Sequence, residues 1–271
     1  MPQIPDNVRG ARFIGWGTSL GNTTVTNDDL SKTMDTNDEW IRERTGIHRR
    51  HIGGTTAEMS IASGRAAIEM AGIDPLSIDA LVLATTTPDR TVPATSATVQ
   101  NALGLSCGAF DVNAACSGFV YALVNAYGLI AMGAEKVLVI GTDTLSRITD
   151  WTDRNTAILF ADGSGAAVIE AHDGPSNLLS WDIDADGSAE NILFCEVGGK
   201  IHMDGKEVFR RAVRIMVDSG QKSMAAAGVT ADDIALVVPH QANIRIINSA
   251  CEKLGIPPER TITVLHETGN T

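Results

Sequence analysis

Two stretches decide how this sequence is read: AGIDPLSIDALVLA (Ala71–Ala84) and AGVTADDIALVVP (Ala227–Pro239). Each runs Ala-Gly-apolar, then four residues, then Ile, and each leads into a short apolar strand. Working outward, each strand is followed by a helix that stops at Leu-Gly-apolar, first Leu103-Gly104-Leu105 and then Leu254-Gly255-Ile256. Each helix then feeds another strand, FDVNA in the first half and ITVLH in the second. Glycine after a helix is common, because it accepts the left-handed cap conformation. The same order held over roughly 40 residues nevertheless favours an internal duplication over coincidence.

Strands are expected where Val, Ile and Leu cluster between Gly, Asp or Pro: 80–85, 108–113, 136–142, 165–170, 235–239 and 261–265. Their near-continuous apolar character predicts burial on both faces, as in a sheet sandwiched by helices. Helices are expected over 56–71, 96–103, 117–132, 207–227 and 244–254, with Thr56 as a cap and Gly72 and Gly228 as stops. The class is α/β, with halves at 1–174 and 175–271. The halves are unequal: the first continues beyond FDVNAAC with a helix and the strands KVLVIGTD and GAAVIE, whereas the second stops at Gly269-Asn270-Thr271. The second half is therefore expected to be incomplete.

Composition narrows the function. Twenty-one Lys and Arg against 33 Asp and Glu give a net charge of −12, which repels nucleic acid and anionic membrane over most of the surface. Mean hydropathy is only +0.04, and no apolar run reaches the roughly 18 residues of a membrane span. The start, MPQIPDNVRG, has no basic stretch leading into an apolar one, so no secretory signal is visible. Four scattered cysteines make no disulfide framework and include no CxxC pair, which points to a reducing compartment. No metal is expected: His266-Glu267 opens like a zinc-protease motif, but Asn270 stands where its second His belongs. GWGTSLG fails the spacing of a dinucleotide fingerprint, and HRRH (His48–His51) reads as solvated surface.

Three residues remain as candidates for chemistry. Cys116 follows the strand 110–113, expected to be buried, and precedes a helix, where the macrodipole favours a thiolate. Its small neighbours Ala114, Ala115, Ser117 and Gly118 leave room for a carbonyl and for backbone N–H groups to face an oxyanion. The alternative is an inert packed thiol, as Cys107, Cys195 and Cys251 read. His240 ends the strand 235–239, the end at which α/β sheets meet their ligands, although a lone His is often structural. Asn270 holds, in the second half, the strand-end position that Cys116 holds in the first. Duplication then predicts that the two strand ends face each other across a pseudo-twofold axis.

At these residues the sequence resembles a known family. NAACSGF around Cys116, VVPHQAN around His240 and HETGNT around Asn270 are similar to the Cys-His-Asn motifs of β-ketoacyl-acyl carrier protein synthase III. TNDEWIRERTGI (36–47), WTDRNT (151–156), FADGSGAAV (160–168) and IHMDGKEVFRRAV (201–213) extend the resemblance in order from about residue 11. It implies a thiolase-like fold, a duplicated αβαβα five-layer arrangement. It also implies an initiating condensing enzyme of type II fatty acid synthesis. In such an enzyme an acyl-CoA primer passes to Cys116 and is condensed decarboxylatively with malonyl-acyl carrier protein. His240, neutral, and Asn270 would donate to the thioester oxygen as it becomes an enolate. No cofactor is needed.

Further roles follow position by position from the resemblance. Trp40 and Arg44 resemble the pair that holds the adenine of CoA, with Thr36 nearby, and Arg154 resembles a second stacking arginine. Gly205, Phe209, Ala212 and Asn243 resemble the lining of the pantetheine channel. Val92 falls in a loop that reaches the partner's acyl pocket in a homodimer. Arg210, Arg211, Arg214, Arg245 and Lys253 are expected to form a basic patch that docks the acidic carrier protein. A cytoplasmic homodimer is implied. The chain departs from the family after Gly269-Asn270-Thr271, where full members supply a glycine-rich loop with one oxyanion donor. The rivals are a condensing enzyme that primes a polyketide or specialised pathway, and a catalytically incomplete fragment that binds only CoA or a partner. A thiolase would need a second catalytic cysteine, and a chalcone synthase would lack the Trp40 segment.

Overall fold

The computed structural model describes residues 8–271; the first seven residues of the start read above lie outside them. The described chain begins with β1 (Gly10–Leu20), β2 (Thr23–Thr26), α1 (Asn27–Ser31), α2 (Asp38–Thr45), β3 (Arg49–Ile52) and α3 (Thr56–Ala71). It continues through β4 (Ala80–Ala84), α4 (Thr95–Ala102), β5 (Gly108–Val112), α5 (Gly118–Ala131), β6 (Lys136–Thr144), α6 (Arg154–Ala157) and β7 (Asp162–His172). The hairpin β8 (Leu193–Cys195) and β9 (Ile201–Met203) precedes α7 (Gly205–Ala227), α8 (Ile244–Leu254) and α9 (Leu265–Thr268).

The main sheet has the order β1-β7-β6-β4-β5, with β4 parallel to both β5 and β6, and β7 antiparallel to β6 and β1. Side chains alternate across it with period two. Leu81, Leu83, Leu138 and Ile140 point toward α3 and α4, while Val82, Ala84, Val137 and Val139 point toward α5. Such side chains are worth about 1.5–3 kcal/mol each when fully buried, which is why strands read as apolar runs lie between two helical layers. Helix α3 lies directly on β1: a Cβ at Gly15 would stand 2.3 Å from the Ala67 carbonyl, and one at Gly17 would stand 2.3 Å from that of Ser63. The glycines of GWGTSLG thus allow a close helix–strand approach.

The duplicated signature is visible in the backbone. Helix α3 ends at Gly72 (φ 65°) and runs through a 3-10 turn, Pro75–Ser77; α7 ends at Gly228 (φ 70°) and runs through Ala231–Asp233. Gly104 (φ 71°) and Gly255 (φ 73°) follow α4 and α8 in the same left-handed conformation. Leu105 and Ile256 are then buried after their glycines.

Five expectations need correction. The segments 235–239 and 261–265 form no ladder; their pairing is a single bridge, Val237 to Thr261, and Leu236, Val238, Ile262 and Val264 stay exposed. A ribbon with no further neighbour among the described residues cannot satisfy its outer backbone groups, and Pro239 has no N–H to offer. The 3.1 Å cap bond of α3 comes from Thr55, in a capping box with Glu58, rather than from Thr56. Strand β5 is an edge rather than a buried strand, with Phe110 exposed. HRRH is not a solvated run: Arg50 is wholly buried, and His48 and His51 are half-buried. Cys195 is exposed on β8 instead of packed.

Candidate active site

Strands β4, β5 and β6 run parallel, so Ala84, Val112 and Thr144 finish at one end of the sheet, the end where α/β folds bind ligands. Cys116 stands just beyond β5. Ala115 before it has φ 45°, a left-handed conformation that costs a non-glycine residue about 1–2 kcal/mol, and a short 3-10 turn then delivers the chain to α5. Gly118 at the start of α5 lies so close to β4 that an added Cβ would sit 3.1 Å from that of Ala84. The residue keeps solvent access, yet the surrounding protein desolvates its sulfur. Burial, then the Asp143 carboxylate, raises the thiol above its ordinary value; its own backbone N–H is the one opposing influence. Burial and the Asp143 carboxylate thus oppose the thiolate that the start of the helix favours.

His240 is half-buried, and its Nε2 is enclosed without a hydrogen-bond partner. Burial lowers the imidazole below its usual value and Asp143 opposes this, so the ring is neutral at pH 7. The loop that carries it is fixed by Gln241, a residue that pattern reading missed. Gln241 Nε2 donates to the carbonyls of Pro239 (2.9 Å) and Ile262 (3.1 Å), and its Oε1 accepts from the N–H groups of Val264 (2.8 Å) and Leu265 (3.2 Å). One amide thereby ties the His240 loop to the segment that leads to Asn270.

Asn270 is buried beside the start of β7. Its N–H donates to the Leu159 carbonyl (3.0 Å), and its carbonyl accepts from the Ala161 N–H (2.8 Å). Thr271 beside it fills the space over Gly163, where a Cβ would stand 3.0 Å from the threonine side chain. Gly163 is the register partner of Asp143 across β6 and β7.

Asp143 has a relation to each of the three candidates. Its carboxylate influences both Cys116 and His240, and its register partner, Gly163, lies against the side chain of Thr271, the residue after Asn270. Asp143 Oδ1 accepts from Thr86 N–H (2.7 Å) and from the hydroxyls of Thr85 (3.2 Å), Thr86 (2.9 Å) and Thr87 (3.0 Å). Burial nevertheless raises its carboxyl above the usual range. Only a three-dimensional view exposes this group; nothing in GTDTLSR marks it.

Trp40 projects from α2, whose start is capped by Asn37. The guanidinium of Arg44 lies 4.5 Å from its ring centroid and that of Arg154 lies 4.6 Å away. Arg154 also donates to the Asp35 carbonyl (2.7 Å), and the Thr36 hydroxyl is buried with no partner. Asn243 caps α8 by accepting from Arg245 N–H (2.9 Å) and donates to the Arg44 carbonyl (3.0 Å), which joins α2 to the His240 loop. Gly205, Phe209 and Ala212 lie along the first turns of α7, with Arg245 over the Phe209 ring at 5.5 Å. Val92 is 81% exposed in the loop after β4.

The expected basic patch is uneven. Arg210 and Arg211 both engage Glu207, at 2.7 Å and 2.9 Å, and Arg211 also meets Asp186 at 2.8 Å. The two arginines hold the Glu207 carboxyl down at about 2. Arg214, Arg245 and Lys253 are exposed, and no acidic partner is within ion-pair distance among the described residues. No group of three metal-ligating side chains occurs among the described residues, and no helix there is long and apolar enough to cross a membrane.

Comparison with known proteins bears on this arrangement. Residues 110–187 match the family model of 3-oxoacyl-acyl-carrier-protein synthase III, and residues 224–271 match the model of its C-terminal part. A β-ketoacyl-acyl-carrier-protein synthase III of Roseobacter denitrificans is 46% identical, over 95% of this chain and 84% of the relative. The crystal structure of the synthase III of Aquifex aeolicus superposes with a TM-score of 0.94 at 41% identity, covering 97% of this chain and 86% of the other. The priming β-ketosynthase of the R1128 polyketide pathway superposes at 0.90 with 34% identity, covering 100% of this chain and 86% of the other.

Proposed function

The chain belongs to the β-ketoacyl-acyl carrier protein synthase III family, the acyltransferases that initiate condensation in fatty acid synthesis, and from that premise we propose how its residues divide the work. The Cys116 sulfur attacks the carbonyl of an acyl-CoA primer. A carbon–sulfur bond forms, and CoA departs as the thiol with the proton the cysteine gives up. Because burial and Asp143 keep that proton on sulfur, it leaves as attack proceeds. The backbone N–H at Cys116 faces the oxyanion.

Malonyl-acyl carrier protein then enters. Its carboxylate leaves as carbon dioxide, and the electron pair flows onto the thioester, whose oxygen accepts from His240 Nε2 and the Asn270 carboxamide. An unpartnered, neutral, buried imidazole suits this role, since a fixed donor in a dry site needs no reorganisation. The enolate carbon attacks the acyl group. A 3-ketoacyl-acyl carrier protein forms, and the cysteine sulfur leaves and takes a proton from solvent.

Trp40, Arg44 and Arg154 hold the adenine, Thr36 offers its free hydroxyl nearby, and Gly205, Phe209, Ala212 and Asn243 line the path of the pantetheine. Arg214, Arg245 and Lys253 carry most of the attraction for the carrier protein, with Arg210 and Arg211 partly neutralised by Glu207. The β5 edge pairs with a second copy: an open edge beside exposed Phe110, Phe119 and Val120 needs covering, and it places Val92 near the neighbour. Four unpaired cysteines suit the reducing cytoplasm.

What supports this reading is that the Asp143 carboxylate acts on both Cys116 and His240, while Gly163, its register partner, lies against Thr271 next to Asn270. Incubation with labelled acetyl-CoA tests it. Label is expected on the peptide containing Cys116 and is lost in Cys116→Ser; label on Cys195 or Cys251, or none, contradicts it.

A further inference from the structure

Arg50 is wholly buried on β3, with no carboxylate among its partners in the described residues. Nη2 donates to Asn27 Oδ1 (2.8 Å) and to the Ile158 carbonyl (3.1 Å), Nη1 donates to the Val25 carbonyl (3.4 Å), and Nε has no partner. Burial lowers the guanidinium to about 10, so it remains charged at neutral pH. A buried charge without a counter-ion is costly, and an apolar side chain of similar volume would fill the space more cheaply. Space-filling is thus a poor account of this residue.

Its surroundings supply a better one. A Cβ at Gly269 would stand 2.9 Å from that of Arg50 and 2.8 Å from that of Ala161, so Arg50 forms the back wall of the Gly269–Asn270 link. The Ile158 carbonyl that it grips is next to Leu159, and Leu159 and Ala161 make the two backbone bonds of Asn270. The two residues before it in the chain hold the preceding helix: the His48 N–H donates to the His266 carbonyl (2.9 Å), and Arg49 Nε meets Glu267 at 3.0 Å. Three consecutive residues, His48 just before β3 and Arg49 and Arg50 at its start, thus hold the chain that ends in Asn270.

We propose that Arg50 is a positioning residue for Asn270: its fork locks the 158–161 segment to β2 and α1, and this sets where the carboxamide sits in the pocket. The proposal rests on the assignment of Asn270 to the condensation step. A positioning role separates the half-reactions, since only the malonyl step uses Asn270, whereas general loosening of the fold would slow both together.

The test measures Cys116 acylation from acetyl-CoA and decarboxylation of malonyl-acyl carrier protein, both at saturation, in Arg50→Met, Arg50→Lys and Asn27→Ala. Asn27→Ala removes one acceptor of Arg50, along with the Nδ2 bonds to Asp38 and the Ile47 carbonyl (both 2.8 Å), without removing the charge, and the ratio of the two half-reactions in it decides the matter if the Arg50 variants do not fold. Decarboxylation is expected to fall by about tenfold or more relative to acylation in Arg50→Met, with partial recovery in Arg50→Lys and an intermediate loss in Asn27→Ala. Asn270→Ala is the control. If it leaves decarboxylation intact, the underlying assignment fails; if it lowers decarboxylation while the ratio in the folded Arg50 and Asn27 variants stays at the wild-type value, the Arg50 proposal is overturned.

Discussion

Asp143 and Gly163 face each other across the β6–β7 ladder, and the side chain of Thr271 occupies the space that a Gly163 side chain would need. Gly163→Val should therefore push Thr271, and with it Asn270, out of place. Overpacking of this kind costs about 1–3 kcal/mol, and a displacement near 1 Å can cost about 10²-fold in rate. Decarboxylation of malonyl-acyl carrier protein is expected to fall strongly while acylation of Cys116 persists. Equal losses in both half-reactions, measured by single turnover, would show that Gly163 does not act through Asn270.

The raised Cys116 thiol gives a pH prediction with a definite sign. Alkylation by iodoacetamide, followed by mass spectrometry at Cys116 because Cys195 is also exposed, should rise with a midpoint above the ~8.5 of a free cysteine. Asp143→Asn removes a negative charge that raises both groups, so the thiol midpoint should move down. The His240 midpoint should move down as well, leaving the imidazole neutral to lower pH. A wild-type midpoint below that of a free cysteine, or none of these shifts in Asp143→Asn, would remove Asp143 from the electrostatics of the site.

Trp40 between two guanidinium groups predicts a binding effect without a chemical one. Stacking of this type is worth about 0.5–2 kcal/mol, so Trp40→Ala should raise KM for acyl-CoA by roughly 2- to 30-fold with kcat little changed. Steady-state kinetics at varied acyl-CoA decides it; a loss confined to kcat would place Trp40 elsewhere in the cycle.

The sequence was most legible where local rules act. The glycines at 72, 104, 228 and 255 announce helix ends because the left-handed conformation favours glycine, and the duplicated order followed from them. The apolar runs of β4 and β6 announced burial on both faces for an equally local reason. What stayed hidden depends on neighbours distant in sequence. Arg50 reads as one more charge in HRRH until β2, α1 and residue 158 close over it. Gln241 reads as a loop amide until its four bonds span two segments. The helix start behind Cys116 was visible, but the desolvation and the Asp143 charge that oppose it were not.

Docking of the carrier protein should depend unequally on the basic residues. Arg214→Glu, Arg245→Glu and Lys253→Glu are each expected to raise KM for malonyl-acyl carrier protein severalfold, more so at low salt, and to leave KM for acyl-CoA unchanged. Arg210→Glu should do less, because Glu207 already compensates that charge. Equal effects on both substrates would mean that the patch does not discriminate between them.

The central claim is that a thiol, an imidazole and a carboxamide from the two halves act on one substrate. A crystal structure of the acylated protein with a non-decarboxylating malonyl thioester tests it most directly. The account predicts acyl density on the Cys116 sulfur and the malonyl thioester oxygen within about 3 Å of both His240 Nε2 and the Asn270 carboxamide nitrogen. A thioester oxygen bound away from either group, or an acyl group on another residue, would contradict it.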